Sequence, residues 1–374
     1  MKKSLLAAAA LGALAGTAHA QSSVTLYGVV DTNLEYVSNL SSQVPTAANG
    51  FTVGPGENAY RLTSGGLSGS RWGLRGVEDL GGGLKSLFVL ESGFGVDDGR
   101  SQQGGRLFGR QAYVGLESSA VGRVTFGRQY TTMFDAFANF SPTGYATQYE
   151  PIVAQLGLNF RSDNTAKYTG KFGPVTAIAH YSFGNGVAGA GEVPGQSRRD
   201  TGYGASVGYA AGPFAATIAY DQYNPTLTAT GDTGTFRKIG AAASYAFGPA
   251  KVMGGYRWGQ NKGPKSLGEP TVLRDNYYWA GLNYQVNTPL SLTLAYYYED
   301  VKNLVGTNVR NPWQVQFIAD YNLSKRTDIY LSTAYSKHAG LNFDTSAISF
   351  ANGYFLGSGE NSMIGVAVGV RHRF

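Results

Sequence analysis

The last residues of the chain alternate strictly. Ile364, Val366, Val368, Val370, His372 and Phe374 take every second position, with Gly365, Ala367, Gly369, Arg371 and Arg373 between them. A period of two predicts a β-strand with one apolar face and one small or charged face. A terminal strand with a bare apolar face is an aggregation hazard in water. It is stable when both edges are paired and the apolar face meets lipid, as in a transmembrane β-barrel.

The same alternation recurs along the chain and predicts sixteen strands. They lie near 23–36, 70–79, 84–96, 107–118, 123–130, 165–172, 174–183, 201–210, 213–223, 235–247, 250–259, 273–285, 290–301, 311–322, 326–337 and 362–374. Short connectors rich in Gly, Pro and Asn, such as Gly173-Pro174 and Gly248-Pro249, supply the backbone angles of tight hairpins. Longer polar connectors, as at 37–69, 185–200 and 338–361, alternate with them. Short turns at one end and long loops at the other describe an up-and-down antiparallel barrel whose ends face different compartments. The expected fold is therefore all-β, a sixteen-stranded transmembrane barrel. Tyr277-Tyr278-Trp279 and Tyr296-Tyr297-Tyr298 are expected at the membrane interfaces, where aromatic girdles sit.

Charges inside the strands must then face the lumen, because a charge in hydrocarbon is expensive. Trp72 and Leu74 take the lipid side, which turns Arg71 and Arg75 inward. Tyr168 and Phe172 do the same for Lys167 and Lys171. Arg110 shares a face with Ala112 and Val114, yet it is placed in the lumen by the same cost argument. Arg71, Arg75, Arg110 and Lys167 thus form the candidate basic wall. Between the fifth and sixth predicted strands, the connector 131–164 carries Met133, Phe134, Phe137, Phe140, Ile152, Val153 and Leu156. A solvated loop has little use for that apolar surface. Folding inward would bury it and bring Asp135 and Glu150 opposite the basic wall, making a charged eyelet that filters by charge and size.

The N-terminus reads as a cleaved export signal at 1–20. Lys2 and Lys3 precede an apolar run ending near Leu14, and Ala18-His19-Ala20 supplies the small-residue exit. The run is too short to span a bilayer. Residues 21–374 then form one barrel domain with 28 basic and 24 acidic residues, since the signal removes two of the 30 lysines and arginines. A balance of +4 gives no argument for nucleic acid. Charged residues make up 14%, against ~25% in an ordinary soluble domain. There is no cysteine, which excludes disulfides, thiol catalysis and Cys-ligated metals. The histidines form no metal motif, and neither a nucleophile elbow nor a phosphate-binding P-loop is present. No cofactor and no catalysis are expected. Two rivals to a diffusion pore stay open: a substrate-specific channel with an aromatic track through Tyr27, Tyr277 and Tyr297, and an outer-membrane hydrolase using a Ser–His pair.

Four stretches carry a resemblance: SVTLYGVVD at Ser23 to Asp31, SRWGLRG at Ser70 to Gly76, GRQAYVGL at Gly109 to Leu116 and GRQY at Gly127 to Tyr130. With the terminal Phe374, they resemble the general porins of Gram-negative bacteria, and the β-proteobacterial branch in particular. The resemblance implies a homotrimer of water-filled barrels in the outer membrane, in contact with lipid and lipopolysaccharide, each with an inward-folded third loop. It implies a water-filled route for small hydrophilic solutes and ions, and the basic wall of this sequence is expected to favour anions. It also implies that the barrel-assembly machinery reads the last strand and Phe374. Arg71 and Arg110 match the family's eyelet arginines, Lys167 stands near the third basic position, and Arg75 lies on the matching segment. The Pro-Glu-Phe-Gly-Gly element common in the third loop is absent, so Asp135 and Glu150 come from the connector's own composition.

Overall fold

The computed structural model describes residues 23–184, 192–305, 309–345 and 353–374. The expected signal at 1–20 lies outside them. Seventeen antiparallel strand segments form one closed sheet. They are β1 (Ser23–Ser41), β2 (Gly56–Ser64), β3 (Arg71–Gly81), β4 (Leu84–Gly93), β5 (Gln111–Ser118), β6 (Gly122–Tyr130), β7 (Arg161–Phe172), β8 (Val175–Ser182) and β9 (Gly202–Ala211). There follow β10 (Phe214–Tyr223), β11 (Thr235–Phe247), β12 (Ala250–Lys262), β13 (Thr271–Gln285), β14 (Leu290–Leu304), β15 (Trp313–Asn322), β16 (Thr327–Lys337) and β17 (Ser362–Arg373).

The wall nevertheless has sixteen staves. β2 pairs with the second half of β1 and β3 with the first half, so β2 and β3 are one stave broken at residues 65–70. β2 lies within the stretch expected as a long loop at 37–69. Its Tyr60 and Leu62 point outward while Arg61 points inward, an alternation that the polar surroundings obscure. β17 closes the barrel against β1 over Val29↔Arg373 to Val37↔Gly365. Past β17, Phe374 continues the seam. Its N–H donates to the Gly28 carbonyl and its carbonyl accepts from the Gly28 N–H, each at 3.1 Å. A side chain on Gly28 would collide with the Phe374 ring, so glycine leaves room for the terminal aromatic.

Tight turns join the strands at one end. Gly173, Gly212 and Gly248 each hold a positive φ and precede a proline, and each proline carbonyl accepts an N–H from the next stave at 2.9 Å. Glycine supplies that φ without steric cost. The outward face carries large apolar side chains, among them Leu34, Phe126, Ile218, Leu294 and Val368. An apolar surface of that extent is a membrane face rather than a solvated one.

The third loop folds into the barrel. It contains two short helices, α1 (Thr132–Phe137) and α2 (Ile152–Leu156). Met133, Phe137, Phe140, Ala154 and Leu156 pack against Tyr277, Trp279 and Tyr297 from the lumenal face of the wall. Each large apolar side chain buried this way contributes roughly 1.5–3 kcal/mol. The Trp279 Nε1–H donates to the Phe140 carbonyl at 2.8 Å, which fixes the loop in register with the wall. Tyr277, Trp279 and Tyr297 are thus anvils for the loop and not interfacial girdle residues. Tyr278 and Tyr296 point outward instead. Two members of the expected aromatic track, Tyr277 and Tyr297, are sealed beneath the loop at 0% and 1% exposure.

Candidate functional site

Between the third loop and the wall at β2, β3, β6 and β7 lies a chamber of about 760 Å³. Four arginines line it, Arg61, Arg71, Arg110 and Arg161, and no carboxylate is among the described lining residues. The loop's side of the chamber is aromatic and neutral, with Phe134, Tyr145 and Gln148.

The arginines keep their shape because their acids sit behind them. Arg61 donates through Nε (2.9 Å) and Nη2 (2.6 Å) to one Glu35 oxygen. The other Glu35 oxygen accepts the hydroxyls of Tyr149 (2.8 Å) and Tyr354 (2.6 Å). Arg110 Nε donates to Glu91 at 2.8 Å, and Arg71 lies 3.6 Å from the same carboxylate. The Glu35 and Glu91 side chains are 0% and 6% exposed, whereas Arg61 and Arg71 keep 31% and 26%. The wall therefore shows its positive ends to the lumen and hides its negative ones. Charge-assisted hydrogen bonds of this kind orient guanidiniums firmly.

Arg161 has a different support. Its guanidinium lies 4.8 Å above the Tyr130 ring and 4.7 Å above the Phe160 ring, and its Nη2 donates to the Tyr130 hydroxyl at 3.2 Å. Arg110 donates to that same hydroxyl at 3.1 Å. Tyr130 in turn stacks on Phe134 at 3.9 Å between centroids. One aromatic side chain from the wall therefore carries two cations and docks the loop. Four guanidiniums (+4) against the two recessed carboxylates, Glu35 and Glu91 (−2), leave this set of six side chains at +2.

The predicted site residues separate. Arg71 and Arg110 line the chamber together. Arg75 stands two inward positions further along β3, over the Tyr27 ring at 5.2 Å, and is not among the chamber's lining residues. Lys167 is also outside the lining. Its Nζ meets Asp135 at 2.7 Å and the Tyr130 carbonyl at 3.0 Å, tying α1 to the wall. Burial raises the Asp135 carboxyl and the lysine opposes that shift. Glu150 is buried and is not among the chamber's lining residues. Ser141 donates to both its oxygens, at 2.8 and 2.7 Å, and Thr143 donates to Oε2. Its burial raises it from 4.5 to about 7. The acids of the loop therefore do not form the far side of a two-signed eyelet. Arg128 reaches Asp163 at 2.6 Å, past a register shift between Gly127 and Gln129.

Arg61, Arg161, Glu35 and Glu91 escaped the sequence reading. Arg61 and Arg161 fall in stretches expected as loops, although Tyr60 and Leu62 flank Arg61 as lipid-facing neighbours would. Glu35 and Glu91 were visible as acids inside predicted strands, between Leu34 and Tyr36 and after Leu90.

Comparison with known proteins agrees with this geometry. The family model described as Gram-negative porin matches residues 7–341. An outer membrane porin protein of Bordetella pertussis is 32% identical, with all of both chains covered. Outer membrane porin protein 32 of Delftia acidovorans is 36% identical, again over the whole of both chains. Among solved structures, an anion-selective porin from Comamonas acidovorans superposes with a TM-score of 0.75 at 29% identity, covering 94% of this chain and 100% of that one. With a closed barrel, an apolar outer face and a full-length match to its members, this chain belongs to the Gram-negative porin family, whose members are outer-membrane transport channels and not enzymes.

Proposed function

We propose that this porin passes small hydrophilic solutes and ions passively, and that it favours anions. The observation carrying the preference is the composition of the chamber, four lining arginines with their two carboxylates recessed behind them. An anion entering it meets guanidinium groups in a confined space of reduced dielectric, where each charge acts more strongly than in bulk water. A cation meets the same groups as a barrier. The likeness to an anion-selective porin supports this reading.

The wider assembly follows the family. We propose a homotrimer embedded among outer-membrane lipid and lipopolysaccharide, delivered by a cleaved signal at residues 1–20. In this reading the barrel-assembly machinery recognises β17 and Phe374, whose half-exposed ring ends the closing seam.

The test is single-channel recording in a planar bilayer under a salt gradient, for wild type and for Arg71→Ala combined with Arg110→Ala. The proposal expects openings in triplets and an anion preference that falls in the double variant. An unchanged preference would move the filter elsewhere in the lumen, and a folded protein without conductance would overturn the diffusion-pore reading.

A further inference from the structure

The stave formed by β2 and β3 is broken where the chain leaves the wall at Gly65 and returns at Ser70. This inward step is wrapped around one side chain. Asp31, on β1 and 0% exposed, accepts the N–H groups of Gly66 (3.0 Å), Leu67 (3.0 Å) and Ser68 (2.7 Å). The Tyr330 hydroxyl donates to it at 2.6 Å from across the barrel seam. Ser70 Oγ receives the Asp31 N–H and donates to the Asp31 carbonyl, each at 3.0 Å. A Cβ at Gly66 would overlap the Tyr330 hydroxyl, so the close approach needs glycine there.

The far side of this step faces the chamber. The Gly69 carbonyl accepts Arg71 Nη1 at 3.0 Å, and a Cβ at Gly69 would come up against Arg110 Nη1. The Gly66 carbonyl accepts the Gln148 N–H of the third loop at 3.1 Å. Gly65, Leu67, Ser68 and Gly69 all line the chamber. One buried carboxylate therefore holds a backbone step that touches two filter arginines and the loop.

We propose that Asp31 is a positioning residue for the charge filter. Through the backbone at 65–70 it sets where Arg71 and Arg110 stand and how far the wall narrows the chamber. The inference rests on the reading of that chamber as the selectivity filter. A carboxylate is needed because its two oxygens accept from three backbone donors and a hydroxyl. An amide of the same shape turns an NH₂ toward N–H groups and releases the step.

The experiment measures reversal potential and single-channel conductance for Asp31→Asn. Asp200→Asn serves as the control, because Asp200 is equally buried but holds Tyr223 and Thr226. The Arg71→Ala, Arg110→Ala double variant runs in parallel. We expect Asp31→Asn to lower the anion-to-cation permeability ratio roughly twofold and to raise conductance, with the control unchanged. A wild-type ratio and conductance in Asp31→Asn, while the double variant loses anion preference, would overturn the role of Asp31 and leave the filter standing. A double variant that keeps its preference would instead overturn the filter reading, and the inference with it. Should Asp31→Asn fail to assemble, Tyr330→Phe removes the hydroxyl that donates to the Asp31 carboxylate. A drop in the ratio supports the inference there, and a wild-type ratio with wild-type conductance overturns it.

Discussion

Arg110 and Glu91 are joined at 2.8 Å, and the same carboxylate also lies 3.6 Å from Arg71. One acid thus serves two cations, and both cations remain on the chamber's surface. The arrangement orients the arginines without cancelling them. Glu91→Gln should therefore raise the anion-to-cation permeability ratio, since the set of four arginines with Glu35 and Glu91 goes from +2 to +3. It should also cost about 1–3 kcal/mol of stability by leaving buried guanidinium donors less satisfied. Reversal potential and thermal unfolding followed by circular dichroism read the two effects. A ratio that falls would mean that arginine placement outweighs net charge.

Glu150 should make the pore's selectivity pH-dependent. Burial raises it from 4.5 to about 7, and the hydroxyls of Thr143 and Ser141 only partly oppose that. Below about pH 7 it should be neutral. Above that value it adds a negative charge to the third loop, so anion preference should decline between about pH 6 and about pH 8. Stability follows the same sign. A carboxyl raised in the folded state contributes fully below its unfolded value and loses that contribution as pH rises through about 7. Glu150→Gln should flatten both profiles. Selectivity in the variant that still varies across this range would point to a different titrating group.

Lys167 and Asp135 form the tie between α1 and the wall. Lys167→Ala strands the Asp135 carboxylate, which keeps 30% exposure, so the cost should be about 1–3 kcal/mol rather than the ~3–5 kcal/mol of a fully buried pair. Faster protease cleavage within residues 131–160, with the barrel intact, is the expected result. Cleavage at the wild-type rate would show that the apolar packing alone holds the loop.

The apolar share of that docking is tested by Phe137→Ala. Phe137 is fully buried and lies 5.3 Å from Trp279, centroid to centroid. Truncating a buried Phe typically costs about 3–5 kcal/mol. The loss falls on the loop, so open-channel current noise should rise while the barrel's melting changes less. A quiet channel with a lowered barrel melting temperature would contradict the division of roles between loop and wall.

The barrel was legible because alternation with period two survives in every stave whose faces meet lipid and lumen, as Leu294 and Tyr296 against Ala295 and Tyr297 show. β2 was not, because Gly56 to Ser64 is polar and the glycines at 65, 66 and 69 read as loop. Its stave exists only by continuing β3 along β1. Arg71 and Arg110 stood out as charges the membrane would not accept. Arg161 did not, since its place depends on Tyr130 and Phe160 meeting in space. The aromatics at 277, 279 and 297 have the composition of an interfacial girdle, and only the third loop's docking reveals them as its seat. The same docking decides the fate of Glu150, whose partners Ser141 and Thr143 come from its own loop.

If fixed positive charge in the chamber selects the permeant ion, the selection must weaken as salt rises. Charge selection is screened by salt, with a Debye length near 10 Å at about 0.1 M and near 3 Å at about 1 M. The most direct measurement is the wild-type reversal potential across a potassium chloride gradient, taken at mean concentrations near these two values. A clear anion preference is expected at the lower salt, shrinking toward equal permeability at the higher. A preference for cations, or an anion preference that salt leaves unchanged, would contradict it.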